Sequence, residues 1–463
     1  MGRMKRREFN LLLSSSVVAG GLARPVLAQS ATPDPALLTT TLTPFGAERA
    51  GNADGSIPAW TGGVVSAPLP VDESVVVPMF ADEQPLYTVD ARNMAQYQGL
   101  LSEGTEALMT KYGFKIKVYQ THRTASAPQY VYDNIAKNVT RAKLEEAGGR
   151  FGFTGGYGGV PFPITDSSDP NIAGTQIIWN HLVAWPGYSY KTDSTAYVVI
   201  HGQVDLVFGG YQRFESLYYD PNGSVENYQG YYGVIHQVAT APAELAGQEY
   251  LIWHTSNSLV KPDITWELLT GQGRVRKAPN EAYDTPNSQS NGINNLDDAT
   301  GFYGSPQKYD WKLLGKKEML VPYNCNNIPL TQAKDFFLPS FPNPDIVRWE
   351  KHRMWVVEAT LHPGELNTTA RRMCYMDEDT WQILYSDCYD AQNQLVKTLV
   401  VHNRCVPSLP GTIFVGFGCW SLLTGDYSWV GGIPNPLNDS KEWELPQPMN
   451  DFEPQEMAAQ ASF

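Results

Sequence analysis

Ala196-Tyr197-Val198-Val199-Ile200-His201-Gly202-Gln203-Val204-Asp205-Leu206-Val207-Phe208-Gly209-Gly210-Tyr211-Gln212-Arg213-Phe214-Glu215 is rich in Val, Ile and aromatic residues and lacks helical spacing. Such a run reads as strand 196–208 followed, after Gly209-Gly210, by strand 211–219. The same texture continues downstream at 231–238 and 249–254. Residues 264–269 and 274–277 flank Gly271-Gln272-Gly273, a hairpin turn in composition and spacing. Further hairpins follow: 353–361 before Pro363-Gly364, 371–376 against 381–388 across Asp377-Glu378-Asp379, then 394–401. Consecutive antiparallel strands of this kind build a large curved sheet or a half-open β-barrel. The expected class is therefore mainly β with some α.

Upstream, the pattern changes. Met94, Tyr97, Leu100, Leu101, Ala107, Leu108 and Tyr112 recur at helical spacing ahead of Gly113, which predicts a helix over 93–112. A second helix is expected over 135–147, stopped by Gly148-Gly149. One face of a large sheet needs a cover, and these helices are the natural one. Helices over the mouth of a half-open barrel would enclose an apolar cavity, the usual setting for a lipid-like ligand.

The first 28 residues read as an export signal. Arg3, Lys5, Arg6 and Arg7 precede a mostly apolar stretch, and Val26-Leu27-Ala28 supplies a cleavage site. Arg6-Arg7-Glu8-Phe9-Asn10-Leu11 is similar to the twin-arginine motif, whose translocase carries folded cargo. The apolar stretch holds Ser14 to Ser16 and Gly20-Gly21, too short and too polar for a membrane span, so no transmembrane segment is expected after cleavage. Residues 29–43 read as a flexible lead and 44–463 as one elaborated domain, soluble in the periplasm. The formal net charge is −14, and cleavage removes five basic groups and one acid. That balance argues against nucleic acid as a partner.

Chemistry-bearing motifs are scarce. H-E-x-x-H, G-x-S-x-G and G-x-x-x-x-G-K-[ST] are all absent from the sequence. His181, His201, His236, His254, His352, His362 and His402 lie in or beside strand-like segments and read as structural. Gly155-Gly156-Tyr157-Gly158-Gly159 reads as a flexible loop or flap. Asp377, Glu378 and Asp379 offer too few ligands at that spacing for a calcium cage and read as a solvated turn. Cys325, Cys374, Cys388, Cys405 and Cys419 contain no C-x-x-C, and in an oxidising compartment local stapling of strands is the expectation. No cofactor, metal or catalytic residue is expected.

Several words are more specific than composition. Residues 42–63 (LTPFGAERAGNADGSIPAWTGG) resemble the opening signature of a bacterial family of unknown function assigned to the outer-membrane lipoprotein-carrier-like superfamily. Trp179-Asn180-His181-Leu182, Arg274-Val275-Arg276-Lys277, Tyr309-Asp310-Trp311-Lys312, Gly315-Lys316-Lys317-Glu318-Met319 and Val321-Pro322-Tyr323-Asn324 are similar to its later blocks. So are His352-Arg353-Met354-Trp355 and Asp377-Glu378-Asp379-Thr380-Trp381. The resemblance implies a fold like the LolA and LolB carriers: an open antiparallel barrel closed over by helices, able to hold acyl chains. It also implies work beside outer-membrane or export-pump proteins. The five cysteines and the twin-arginine signal depart from that family's usual pattern.

The function expected from these readings is a periplasmic binding or carrier protein for a hydrophobic, lipid-like molecule. Tyr250, Ile252, Trp253 and Trp266 are the expected lining, because adjacent strands aim rings at one face. Arg274 and Arg276 would hold a head group or a partner's carboxylate, with cross-strand pairing to acids as the alternative. The competing functions are a structural accessory of an outer-membrane or efflux assembly, and an enzyme acting on a lipid or sterol-like compound. The enzyme would need a strand histidine paired with an acid.

Overall fold

The structure is a computed structural model that describes residues 33–66, 76–146, 148–166, 168–278, 285–433 and 452–460, the side chains of the last three excepted. The export signal lies outside the described residues. The early elements are β1 (Tyr87–Val89), α1 (Glu103–Tyr112), β2 (Ile116–Val118), α2 (Gln129–Arg141), β3 (Lys143–Leu144), β4 (Phe153–Thr154) and α3 (Pro170–Leu182). Then come β5 (Ser189–Ile200), β6 (Gln203–Glu215), β7 (Tyr231–Ala241), β8 (Glu249–Thr255), β9 (Ile264–Leu268) and β10 (Val275–Lys277). The last third holds β11 (Tyr309–Pro322), α4 (Ala333–Phe336), β12 (Trp349–Leu361), β13 (Arg371–Asp377), β14 (Ile383–Tyr389), β15 (Leu395–Val406), β16 (Gly411–Ser421), β17 (Tyr427–Val430) and α5 (Pro454–Gln460).

Among the described residues, fifteen strands form one open sheet in the order β1-β2-β12-β13-β14-β15-β16-β17-β5-β6-β7-β8-β9-β10, with β11 also pairing β12. Neighbours are antiparallel except at the single bridge between β2 and β12. Strand β17 pairs β5 and so joins the two halves, with Tyr427 opposite Val199. Both faces of the later half are covered. On one, Trp349, Tyr385 and Trp420 pack under Leu108 and Met109 of α1. On the other, Val357, Met376 and Trp381 pack under α2, α3 and Phe45. Every residue of β14 is buried, which is why its sequence reads as continuous rather than alternating.

The half-open, helix-covered sheet expected from the strand pattern is present, but several local expectations change. Run 196–208 is not one strand: His201-Gly202 turns the chain, both with positive φ, and Ile200 pairs Gln203. This is the primed two-residue hairpin, with His in a position usually taken by Asn. Gly209-Gly210 sits inside β6 at a bulge, where a Cβ on Gly210 would come within 2.0 Å of the Val238 carbonyl oxygen. The strand ends at Glu215, and 217–219 is a 3-10 turn. The helix expected over 93–112 is a 3-10 turn at Met94–Tyr97 followed by α1, capped by Ser102 and stopped at Gly113 in the left-handed region. The second helix begins six residues early, at Gln129, and ends at Arg141.

Two stretches expected to be loose are packed. In the lead, Pro35–Thr39 forms a 3-10 turn that buries Leu38. In the glycine-rich segment Gly156 to Gly159 are buried, and the Tyr157 hydroxyl donates to the Asp220 carbonyl at 2.7 Å. The five cysteines are free and buried rather than stapled; burial pushes the Cys374 and Cys405 thiols up to about 12. They sit on separate strands or, for Cys325, beyond β11, each enclosed by its own neighbours.

Among the described residues, no helix is long and apolar enough to cross a membrane. Two recesses stand out among those residues, and neither is a large enclosed apolar cavity. One recess of about 260 Å³ is lined by Phe114, Trp349, His402 and Trp420 among others, and another of about 300 Å³ lies beside Arg404 to Ser408. Both volumes include open solvent.

Candidate functional site

The expected ligand residues fall on β8 to β10, and strand alternation divides them. Leu251 lies opposite Trp266, Val234 opposite Trp253, and Leu268 opposite Val275, so these six share one face. They form a small apolar cluster that Phe452 and Met457 complete from the C-terminal segment. The Tyr231 ring stands edge-on to Trp253 at 5.2 Å. Tyr250 and Ile252 alternate onto the opposite face, where Tyr250 lies opposite Glu267. Arg276 is there too, its Nε 2.7 Å from Glu267 Oε1, the cross-strand pairing weighed above. Arg274 is exposed at the turn. The structure therefore brings Trp253 and Trp266 together and separates both from the other four.

A histidine–acid pair occupies the same face as the tryptophans. His236 Nε2 lies 2.7 Å from Glu249 Oε2, both side chains buried, and Nδ1 of His236 has no hydrogen-bond partner. The sequence hid this pair because its members stand 13 residues apart and meet only through the register that places Leu251 opposite His236.

The second constellation lies across β11, β12 and the turn after β13. Residues 377–379, expected to be solvated, are each no more than 2% exposed. The reason is a convergence of cations. Arg123 grips Asp379 with two bonds, Nε to Oδ2 at 2.8 Å and Nη2 to Oδ1 at 2.7 Å. Arg353 Nη1 reaches Glu378 at 3.1 Å, and Lys316 Nζ reaches the other oxygen at 2.7 Å. The strap of residues 42–63 closes over them: Glu48 and Ala50 carbonyls accept from Arg123 and Arg353, and Trp381 donates to the Phe45 carbonyl.

Beneath the turn, Glu350 is fully buried and accepts from the His122 amide, Asn324, Arg348 and the His352 ring. Burial works against its charge, but these partners hold its pKa below the usual carboxylate range. Asp377 goes the other way. Burial, and then the neighbouring Asp379, push its carboxyl up to about 6. Its Oδ2 accepts from Thr380 N, Thr380 Oγ1 and the Tyr323 hydroxyl, while Oδ1 is buried with no partner. His352, Asp377 and Asp379 offer ligand atoms within 4.8 Å of one another.

The words quoted for the family resemblance, 42–63, 315–319, 321–324, 352–355 and 377–381, thus meet at one place. Sequence reading missed the site because its charges look solvated one by one. The available signal was an acidic turn without Gly, Pro or Asn, together with three words, 42–63, 315–319 and 352–355, that each carry a cation or a histidine.

Comparisons with known proteins agree with the resemblance. A family model described as protein of unknown function (DUF1329) matches residues 88–458. A Pseudomonas aeruginosa protein, described as uncharacterized protein PA3922, is 35% identical over 459 residues, covering 96% of this chain and 97% of that one. The crystal structure of a DUF1329 family protein from Desulfovibrio piger superposes with a TM-score of 0.43 at 15% identity, over 62% of this chain and 99% of the other. A putative outer membrane lipoprotein-sorting protein domain from Vibrio parahaemolyticus gives 0.42 at 13% identity, with the same coverage.

Proposed function

The chain belongs to the DUF1329 family of proteins of unknown function, and from that premise we propose that it binds a hydrophobic, lipid-like molecule in the periplasm. Export through the twin-arginine leader, release after Ala28 and a single domain over 44–463 are parts of the same reading, as is service to outer-membrane or export machinery. The observation that carries it is the face made by Val234, Leu251, Trp253, Trp266, Leu268 and Val275, whose apolar cover among the described residues comes from Leu217, Phe452 and Met457.

That cover is removable on energetic grounds. Helix α5 is seven residues long, and a helix of that length has no stability of its own in water. Helix and preceding residues stay docked by burying Met457 and Phe452, each worth roughly 1.5–3 kcal/mol. At about 0.8 kcal/mol per buried methylene, an acyl chain of about four to eight methylenes matches it. Entry of cargo therefore exchanges one apolar cover for another. The His236–Glu249 pair gives the polar end of an amphiphile a partner on the same face. The pair is also the minimum equipment for the alternative function, an enzyme acting on a lipid-like compound at the same face.

Native mass spectrometry of protein purified from periplasm, followed by organic extraction, tests the proposal. A stoichiometric lipid-like molecule, or its uptake from a panel of fatty acid, phospholipid and sterol, supports it. A clean apo mass unchanged by the whole panel refutes it and favours the structural-accessory function.

A further inference from the structure

We propose that His352, Asp377 and Asp379 hold a divalent transition-metal ion of the zinc class. This stands apart from the hydrophobic-ligand reading, because the three residues lie on β12, at the end of β13 and in the turn after it, whereas the tryptophans lie on β8 and β9. Three ligand groups of suitable chemistry converge within 4.8 Å, and all three residues are buried.

The second observation is the lopsided environment of Asp377. Three donors saturate Oδ2, and Oδ1, in a fully buried side chain, has none. A bare carboxylate oxygen beside a second carboxylate is a costly arrangement that a cation resolves. The cations present are already engaged: Arg123 with Asp379, Arg353 and Lys316 with Glu378, and Arg348 with Glu350 and Glu83. Bidentate pairing to Arg123 does not exhaust Asp379, since a carboxylate has about four lone-pair sites.

The third observation is the support around His352. Glu350 Oε2 holds its Nε2 at 3.1 Å, and the Tyr323 ring stacks on the imidazole at 3.8 Å. A carboxylate that takes the N–H of one ring nitrogen leaves the other as a lone-pair donor and fixes the ring, the support that metal-ligating histidines receive. One imidazole with two carboxylates suits zinc or manganese; calcium asks for six to eight oxygens.

The test begins with full-length protein purified without chelator. Elemental analysis is expected to find one zinc-class ion per chain. After chelator treatment, zinc alone should raise the melting temperature of wild type by a few degrees and leave Asp377→Asn and His352→Gln unmoved. Competition against a zinc-binding dye on wild type keeps the test valid if a variant fails to fold. Metal-free protein whose melting is unchanged by millimolar zinc, and which takes none from the dye, overturns the proposal. So does Asp377→Asn that matches wild type in both stability and zinc response, the signature of a proton on Oδ1.

Discussion

The indole nitrogen of Trp253 donates to the main-chain carbonyl of Phe452 across 3.2 Å, fastening the C-terminal segment to the outer strands of the sheet. Side-chain burial at Phe452 and Met457 does the rest. Phe452→Ala removes the larger anchor, worth about 3 kcal/mol or more in a filled core. The expected outcome is local: hydrogen exchange quickens in β8 to β10, and an environment-sensitive apolar dye binds more tightly. Slow exchange at wild-type rates in those strands would mean that α5 is not what covers them.

Arg123 and Asp379 form the best-shielded bidentate pair of the buried charged site. Arg123→Met leaves Asp379 buried beside Asp377 with its principal cation gone, and a cost of about 3–5 kcal/mol is expected. Arg123→Met with Asp379→Asn should recover part of that loss. Denaturant unfolding of the four proteins in a double-mutant cycle measures the coupling.

Asp387 lies under the first turn of α1, accepting from the Gly104 amide at 3.1 Å and the Thr398 hydroxyl at 2.7 Å. Burial outweighs these bonds and pushes its carboxyl up to about 6. A group with a raised pKa holds its proton more tightly when folded, so its contribution is complete below the ordinary carboxylate range and lost as pH rises through about 6. Asp387→Asn should therefore gain on wild type between about pH 4 and pH 7.5, by on the order of 2 kcal/mol. A stability difference that is flat across this window contradicts the assignment.

Gly174 sits in the middle of α3, where alanine would ordinarily help by about 1 kcal/mol. Here a Cβ would lie 2.6 Å from the Lys312 nitrogen and 2.7 Å from the Trp311 carbonyl oxygen. Gly174→Ala must push α3 off β11, so a net loss of about 2 kcal/mol or more is expected in thermal melts.

All five thiols are buried and free. A thiol reagent should find almost none in the native protein and all five in denaturant without reductant. Fewer in denaturant would show that bonds form between them, as the proposed periplasmic location would allow.

Strand texture carried much of the fold, and the family words carried its membership. The hairpin at Gly271-Gln272-Gly273 and the strands 231–238 and 249–254 stand where their patterns put them. Misreadings cluster where tertiary contact overrides local chemistry. Gly209-Gly210 looks like a turn but serves close strand approach. Strand β11 escaped notice because Lys312, Lys316, Lys317 and Glu318 break its apolar pattern. The site residues were half legible: alternation along β8 by itself sets Tyr250 and Ile252 on the face opposite Trp253, whereas the register that brings Trp266 to the Trp253 face belongs to the pairing. The acidic turn was opaque for a related reason, since its cations come from Arg123, Lys316 and Arg353, on three separate parts of the chain.

Residue 45 is bonded to residue 381, 336 positions later, and β5 finds one of its partners only when β17 has been made. Contacts so distant in sequence form late, because the chain must surrender the entropy of a very large loop before they repay it. Neither half of the sheet has a complete edge until synthesis has passed residue 430. Assembly is therefore an event of the whole released chain, and the strap 42–63, emerging first, waits longest for its seat. A chain that finishes itself in that order would suit the folded-cargo export proposed for it, which spares it from being undone and begun again.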